Sequence, residues 1–181
     1  MAVATGFGFT LIVTEDGNIC AFGDNSNGCL GQGHDVSIVG QVRLEHQELF
    51  GGHKVVMVAA GSLCACCVTS DGSFWNWGNN AGHLLGVAHT APTQGLPVTP
   101  GETLCRRPRK LCQRLHGNSP VVTVALGNSS TNILTAEGDI WSFEQGAIVP
   151  HQMNRLYFDD APIGMIAAAG SHIVALSRTG H

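Results

Sequence analysis

Charge is scarce in this chain, and positive charge scarcest: 12% of residues are charged, with 9 Lys and Arg against 13 Asp and Glu, a formal net charge of -4. A surface built mainly to hold a phosphate backbone needs many Lys and Arg contacts, so nucleic acid is excluded as the main partner. Long apolar runs are missing too. The opening MAVATGFGFTLIV has neither the basic n-region nor the unbroken stretch of a signal sequence or spanning helix, which predicts no export and no membrane insertion. The seven cysteines are odd in number and lack a framework spacing, which predicts free thiols in a reducing intracellular compartment: cytoplasm, cytoskeleton or nucleus. "GFG" and "GQG" are not followed by the lysine and hydroxyl of a phosphate loop. The nine histidines show no ligand spacing, and no nucleophile stands beside a base, so the sequence assigns no catalytic residue, no metal and no cofactor. What is abundant is apolar residue and glycine: 44% hydrophobic and 24 Gly, enough for a globular core.

The chain repeats itself. "VATGFGFTLIVTEDGNICAFGDNSNGCLG" overlays "VAAGSLCACCVTSDGSFWNWGNNAGHLLG", then "VALGNSSTNILTAEGDIWSFEQG", then the closing "AAAGSHIVALSRTGH". Gly6 to Gly17, Gly61 to Gly72 and Gly127 to Gly138 are each 11 apart, and Ala169 to Gly180 repeats the interval. Six positions past each complete turn stands Gly23, Gly78 or Glu144, preceded by Phe22, Trp77 or Phe143.

Each unit translates into strands. TLIV, CACCV and IVAL are short, rich in β-branched or small apolar residues and too short for a buried helix, so they read as strands covered on both faces. Asp16-Gly17 and Asp71-Gly72 are hairpin signals, because glycine accepts positive φ without steric cost; Glu137-Gly138 and Thr179-Gly180 are weaker versions. Small antiparallel sheets of this kind must stack side by side, as the blades of a propeller do.

The pattern VaaG, apolar strand, DG-x-aromatic-x-aromatic-G-x-N-x-x-G-x-LG resembles the regulator of chromosome condensation repeat, most strongly over 57–86 and 3–31, less over 124–144 and clipped at 166–181. WD40 and kelch blades fit less well. The resemblance implies an all-β fold, a partial propeller of antiparallel four-stranded blades in an incomplete ring: 1–54 blade one, 55–119 blade two, 120–162 a degenerate blade three, and 163–181 the first half of a fourth. Propellers close with about 4 to 8 blades, so two apolar walls need covering by other protein subunits. A piece of a longer product or of an assembly is preferred over two chains completing one ring.

Several residues that look reactive read as architecture. Cys64 and Cys67 project from opposite faces of one strand and can share neither a metal nor a disulfide. Cys64 and Cys66 share a face, but one strand step of roughly 6.5 to 7 Å separates them. Trp75 and Trp77 fill the space between blades, with a base-stacking platform as the alternative. Ser62, Ser129, Ser130 and Ser171 follow the repeat glycine positions, where turn hydrogen bonding explains them. His172, on a second strand, reads as a core hydrogen bond.

One segment departs from the repeat. Gly61 and Gly127 are 66 apart where Gly6 and Gly61 are 55 apart, which predicts an inserted loop at 87–119. It concentrates Arg106, Arg107, Arg109, Lys110 and Arg114, five of the nine basic residues, and reads as a dock for an acidic partner, or as a solvated amphipathic helix resting on Leu104, Leu111 and Leu115. The functional expectation is a non-catalytic protein-interaction scaffold. The alternative, implied by the resemblance alone, is nucleotide exchange on a small Ran-like GTPase with chromatin association.

Overall fold

The computed structural model describes residues 1–37, 39–81, 103–147 and 149–180. Strands β1 (Ala2–Thr5), β2 (Phe9–Val13), β3 (Ile19–Gly23) and β4 (Gln41–Leu44) form the first antiparallel sheet, followed by the short helix α1 (His46–Leu49). The second comprises β5 (Val55–Ala60), β6 (Cys64–Thr69), β7 (Phe74–Asn79) and β8 (Leu104–Lys110). After a 3-10 turn at Gln113–His116, the third runs through β9 (Val121–Leu126), β10 (Ser130–Thr135), β11 (Ile140–Glu144) and β12 (His151–Gln152). A second 3-10 turn, Arg155–Phe158, leads to β13 (Ile163–Ala169) and β14 (His172–Ser177), which pair as a two-stranded sheet. The fold is all-β, and the array is an open arc of blades rather than a closed ring.

The hairpin turns explain the fixed spacing. Gly17, Gly72, Gly138 and Gly180 adopt φ of 87°, 74°, 85° and 91°, the left-handed region that other residues enter only at a cost. Gly72 carries a second constraint. Its carbonyl accepts from Val121 N at 2.9 Å, so the strand opening the next sheet runs against the turn, and a Cβ there would collide with Pro120. The same bond recurs from Val55 N to Gly17 O and from Ile163 N to Gly138 O, at 2.9 and 3.0 Å. One glycine therefore turns a hairpin and spaces two blades.

The core lies in the seams between sheets. Leu11, Ile19, Leu44, Phe50, Cys67 and Trp77 close the first seam; Cys66, Phe74, Val124, Ile133 and Phe143 the second; Leu134, Ile140, Ile163 and Ile166 the third. All six residues of β6 are buried, because both its faces meet a neighbouring sheet.

Two expectations need correction. Arg106, Arg107, Arg109 and Lys110 lie in β8, the outer strand of the second sheet, rather than in a loop or a helix. Pairing with β7, at Asn76 opposite Arg109 and Trp75 opposite Lys110, holds them extended. Residues 87–102 of the expected insertion lie outside the described residues. His172 is exposed instead of making a core hydrogen bond, since it projects from the outer face of β14.

Candidate functional site

The basic cluster is spread along an edge by strand geometry. Arg106 Nη2 donates to Asp35 Oδ2 at 2.9 Å, and its carbonyl accepts from Gly33 N at 2.8 Å, tying the second sheet to the loop that leaves the first. The Arg106 hydrogen bond is the first cause holding the Asp35 carboxyl below its ordinary range. Lys110 Nζ sits 3.7 Å from Asp71 and 5.9 Å from the centre of the Trp75 ring. Arg109 is half-buried opposite Asn76. Arg107 and Arg114 are exposed, Arg107 on β8 and Arg114 in the 3-10 turn. Arg106 and Lys110 thus each have an acidic partner of their own, and the set does not converge on one point.

Asp71 explains much of this local order. Partial burial pushes its carboxyl up, but bonds from Ser73 and Thr69, with the nearby His53, bring it down to about 2. Thr69 Oγ1 donates to Oδ1 and Ser73 Oγ to Oδ2, each at 2.6 Å, so the carboxylate clamps the hairpin it begins.

The cysteines and tryptophans are packed as wall material. Cys67 faces the first seam and Cys66 the second, on opposite faces as strand alternation requires. Burial raises the thiol pKa of Cys64 to about 11 and of Cys29 to about 12, and lifts Cys66 and Cys67 well above the ordinary value. Such groups stay thiols at neutral pH and are poor nucleophiles. None of the seven cysteines is in a disulfide. Trp77 is fully buried, with Nε1 donating to Cys29 O at 2.7 Å, and Phe50 meets Trp75 edge-on at 5.5 Å. Neither indole presents a face for stacking.

The remaining repeat positions are structural. Gly6, Gly61 and Gly127 donate from their N–H to the carbonyls of Phe9, Cys64 and Ser130, closing the first turn of each sheet. Gly23 and Gly78 close the far end of the third strand, where Asp24 N and Asn79 N donate to Gly8 O and Leu63 O, both at 2.8 Å. Ser62 O accepts from Phe7 N at 3.2 Å. Ser129, Ser130 and Ser171 have another setting: they line an open polar cleft of about 330 Å³ between the third and fourth sheets.

Sequence reasoning passed over His116. Phe50, His116 and Phe158 each stand five positions ahead of the strand that opens the next sheet, at Val55, Val121 and Ile163. Phe50 is wedged against Trp75 and Trp77. His116 is equally buried, with no hydrogen-bond partner on either ring nitrogen. Aligning the repeats backward from their first strands, instead of forward from their glycines, is the signal that finds it.

The Regulator of chromosome condensation (RCC1) repeat profile matches residues 2–29. Mouse "Secretion-regulating guanine nucleotide exchange factor" is 28% identical over 193 residues, covering 98% of this chain and 39% of the mouse protein. Human "Regulator of chromosome condensation" is 30% identical over 149 residues, covering 77% of this chain and 30% of the human protein. The crystal structure of human WBSCR16 superposes with a TM-score of 0.81 at 23% identity, over 98% of this chain and 45% of that one. The chain therefore spans less than half the length of each. With its recurring turns, its stacked four-stranded sheets and these likenesses, the chain belongs to the regulator of chromosome condensation repeat family, as an open run of three full blades and a two-stranded fourth.

Proposed function

We propose that the chain acts as a non-catalytic interaction scaffold whose open walls are covered by neighbouring protein. One observation carries this reading. Leu11 and Val13, Cys66 and Val68, and Asn132 and Leu134 occupy matching positions of β2, β6 and β10 and are at most 4% exposed, whereas Val174 and Leu176 of β14 are 69% and 46% exposed. These positions, apolar in every case but Asn132, are buried on three sheets and bare on the fourth, and exposed apolar side chains on a sheet face mark an interaction surface. The units 1–54, 55–119, 120–162 and 163–181 are the building blocks of this scaffold. Arg107 and Arg114, being exposed, are the basic side chains that would meet an acidic neighbour. The buried thiols suit a reducing intracellular setting, and among the described residues no helix is long and apolar enough to cross a membrane.

The test is affinity purification of the intact chain beside the Val174→Asp/Leu176→Asp pair. The expected result is a set of co-purifying proteins that the double variant loses; identical sets from both would overturn the reading. The likeness to a mouse guanine nucleotide exchange factor supports guanine nucleotide exchange as a second reading; its finer form, a small Ran-like GTPase with chromatin association, is the expectation from the repeat family. Accelerated release of labelled guanine nucleotide across a panel of small GTPases would establish it, and silence across the panel would remove it.

A further inference from the structure

The seam between the third and fourth sheets is built differently from that between the first and second. In the first sheet, the wall facing its neighbour carries Phe9, Leu11, Ala21 and Leu44, all buried. Matched through the strand registers, the third sheet carries Ser130, Asn132, Ser142 and Met153 at those places. Apolar residues would serve packing better. The second sheet keeps buried Cys64 and Cys66 at the places of Phe9 and Leu11, although it has Asn76 at that of Ala21, so Ser130 and Asn132 are the local departure from the repeat, and such a departure marks a functional place. The polar groups are ordered: Ser142 Oγ donates to Asn132 Oδ1 at 2.8 Å, and Asn132 Nδ2 donates to Ser130 Oγ at 3.0 Å.

What fills the equivalent space between the first and second sheets is polypeptide. Between the first and second sheets the chain's own segment 25–30 is inserted, with Leu30 fully buried and Cys29 Sγ donating to Leu63 O at 3.1 Å. By repeat position Leu63 corresponds to Ser171, which faces the cleft. Among the described residues the third sheet has no such plug. Ala147 N donates to Glu144 O at 3.0 Å, so the chain reverses at once and leaves the cleft open.

Charge narrows the occupant. Glu144, where the other complete sheets have Gly23 and Gly78, is the single formally charged residue in the lining, and its side chain is 59% exposed. His151 Nε2 stands 3.8 Å from it at the half-exposed rim. Hydroxyls, an amide and one carboxylate can receive several hydrogen bonds from a planar cation, which the guanidinium of arginine supplies in a fixed fork.

We propose that the cleft between the third and fourth sheets binds an arginine side chain of an extended peptide, its guanidinium on Glu144 and its flanking groups on Ser130, Ser142 and Ser171. The proposal deepens the scaffold reading by giving it one chemically defined contact. It is independent of the bare wall at Val174 and Leu176, so either can fail alone.

The experiment titrates the full chain with acetyl-Gly-Gly-Arg-Gly-Gly-amide, followed by backbone amide chemical shifts, beside the citrulline counterpart and the Glu144→Gln variant. The expected result is saturable shifts confined to residues 129–132, 142–145 and 171–173. Glu144→Gln and citrulline should each weaken binding by about tenfold or more, as loss of a charge-assisted bond implies. The Asn132→Leu/Ser142→Ala pair rebuilds the apolar wall of the first sheet and should keep the fold while removing the shifts. Equal binding by Glu144→Gln, shifts elsewhere, or no saturable response at about 10 mM, beyond ordinary weak affinity, would each overturn the proposal.

Discussion

Replacing His116 with phenylalanine should stabilise the protein, and by more in acid than at neutral pH. The side chain is fully buried where Phe50 stands in the preceding repeat, and neither ring nitrogen has a hydrogen-bond partner. A buried polar group left unsatisfied costs about 1–3 kcal/mol. The larger phenyl ring returns part of this gain as packing strain, so the net expectation at pH 7.5 is about 1–2 kcal/mol, or about 2–8 °C in Tm. Burial is also the main cause that pulls the His116 pKa below 6.5, partly offset by the nearby backbone of His116 and Ser119. The unfolded chain then binds a proton that the folded chain resists, so this contribution to stability is whole above pH 6.5 and falls as the pH drops below it. The slope is at most about 1.4 kcal/mol per pH unit for one proton. Urea unfolding of both proteins at pH 7.5 and 5.5 subtracts the other eight histidines, which they share. The gap between the midpoints should widen at pH 5.5. A phenylalanine variant that is less stable at both pH values, or a gap of the same size at both, would refute the reasoning.

Gly72→Ala should destabilise by about 2–4 kcal/mol in denaturant titration, since positive φ alone costs about 1–2 kcal/mol and the added Cβ strikes Pro120. Alkylation of the folded protein at pH 8 should label the half-buried Cys20 and Cys112 and spare the other five thiols, as read by peptide mass; labelling of Cys66 or Cys67 without unfolding would contradict the packing. Asp71→Asn should lower stability above pH 4 and differ progressively less from the parent as the pH falls toward 2. A carboxylate held at about 2 against an ordinary 3.8 contributes stability above the ordinary value and loses it on protonation, and urea midpoints across that range check the sign.

Much of the fold was legible because its information is local. The 11-residue spacing from Gly6 to Gly17 and its copies marks a strand and a hairpin turn, and Gly17, Gly72, Gly138 and Gly180 hold the positive φ that the hairpin pattern calls for. The unbroken apolar character of Cys64–Thr69 signalled a strand buried on both faces, and the separation of Cys66 from Cys67 across two seams follows from alternation alone. The basic residues of β8 were not legible as a strand. Their own sequence, LCRRPRK, has no apolar alternation, and pairing with β7 across residues distant in the chain makes them extended.

The amino-acid sequence by itself determined the repeat, the turns, the strand alternation and the all-β class, since each depends on backbone preferences and side-chain periodicity within a few residues. Tertiary structure alone decided that Arg106 is bound to Asp35, that the His116 ring is buried without a hydrogen-bond partner, and that the third seam opens into a polar cleft. Those outcomes depend on which sheets face one another and on what separates them, and a contact between residues 71 positions apart leaves no mark on the spacing of either one.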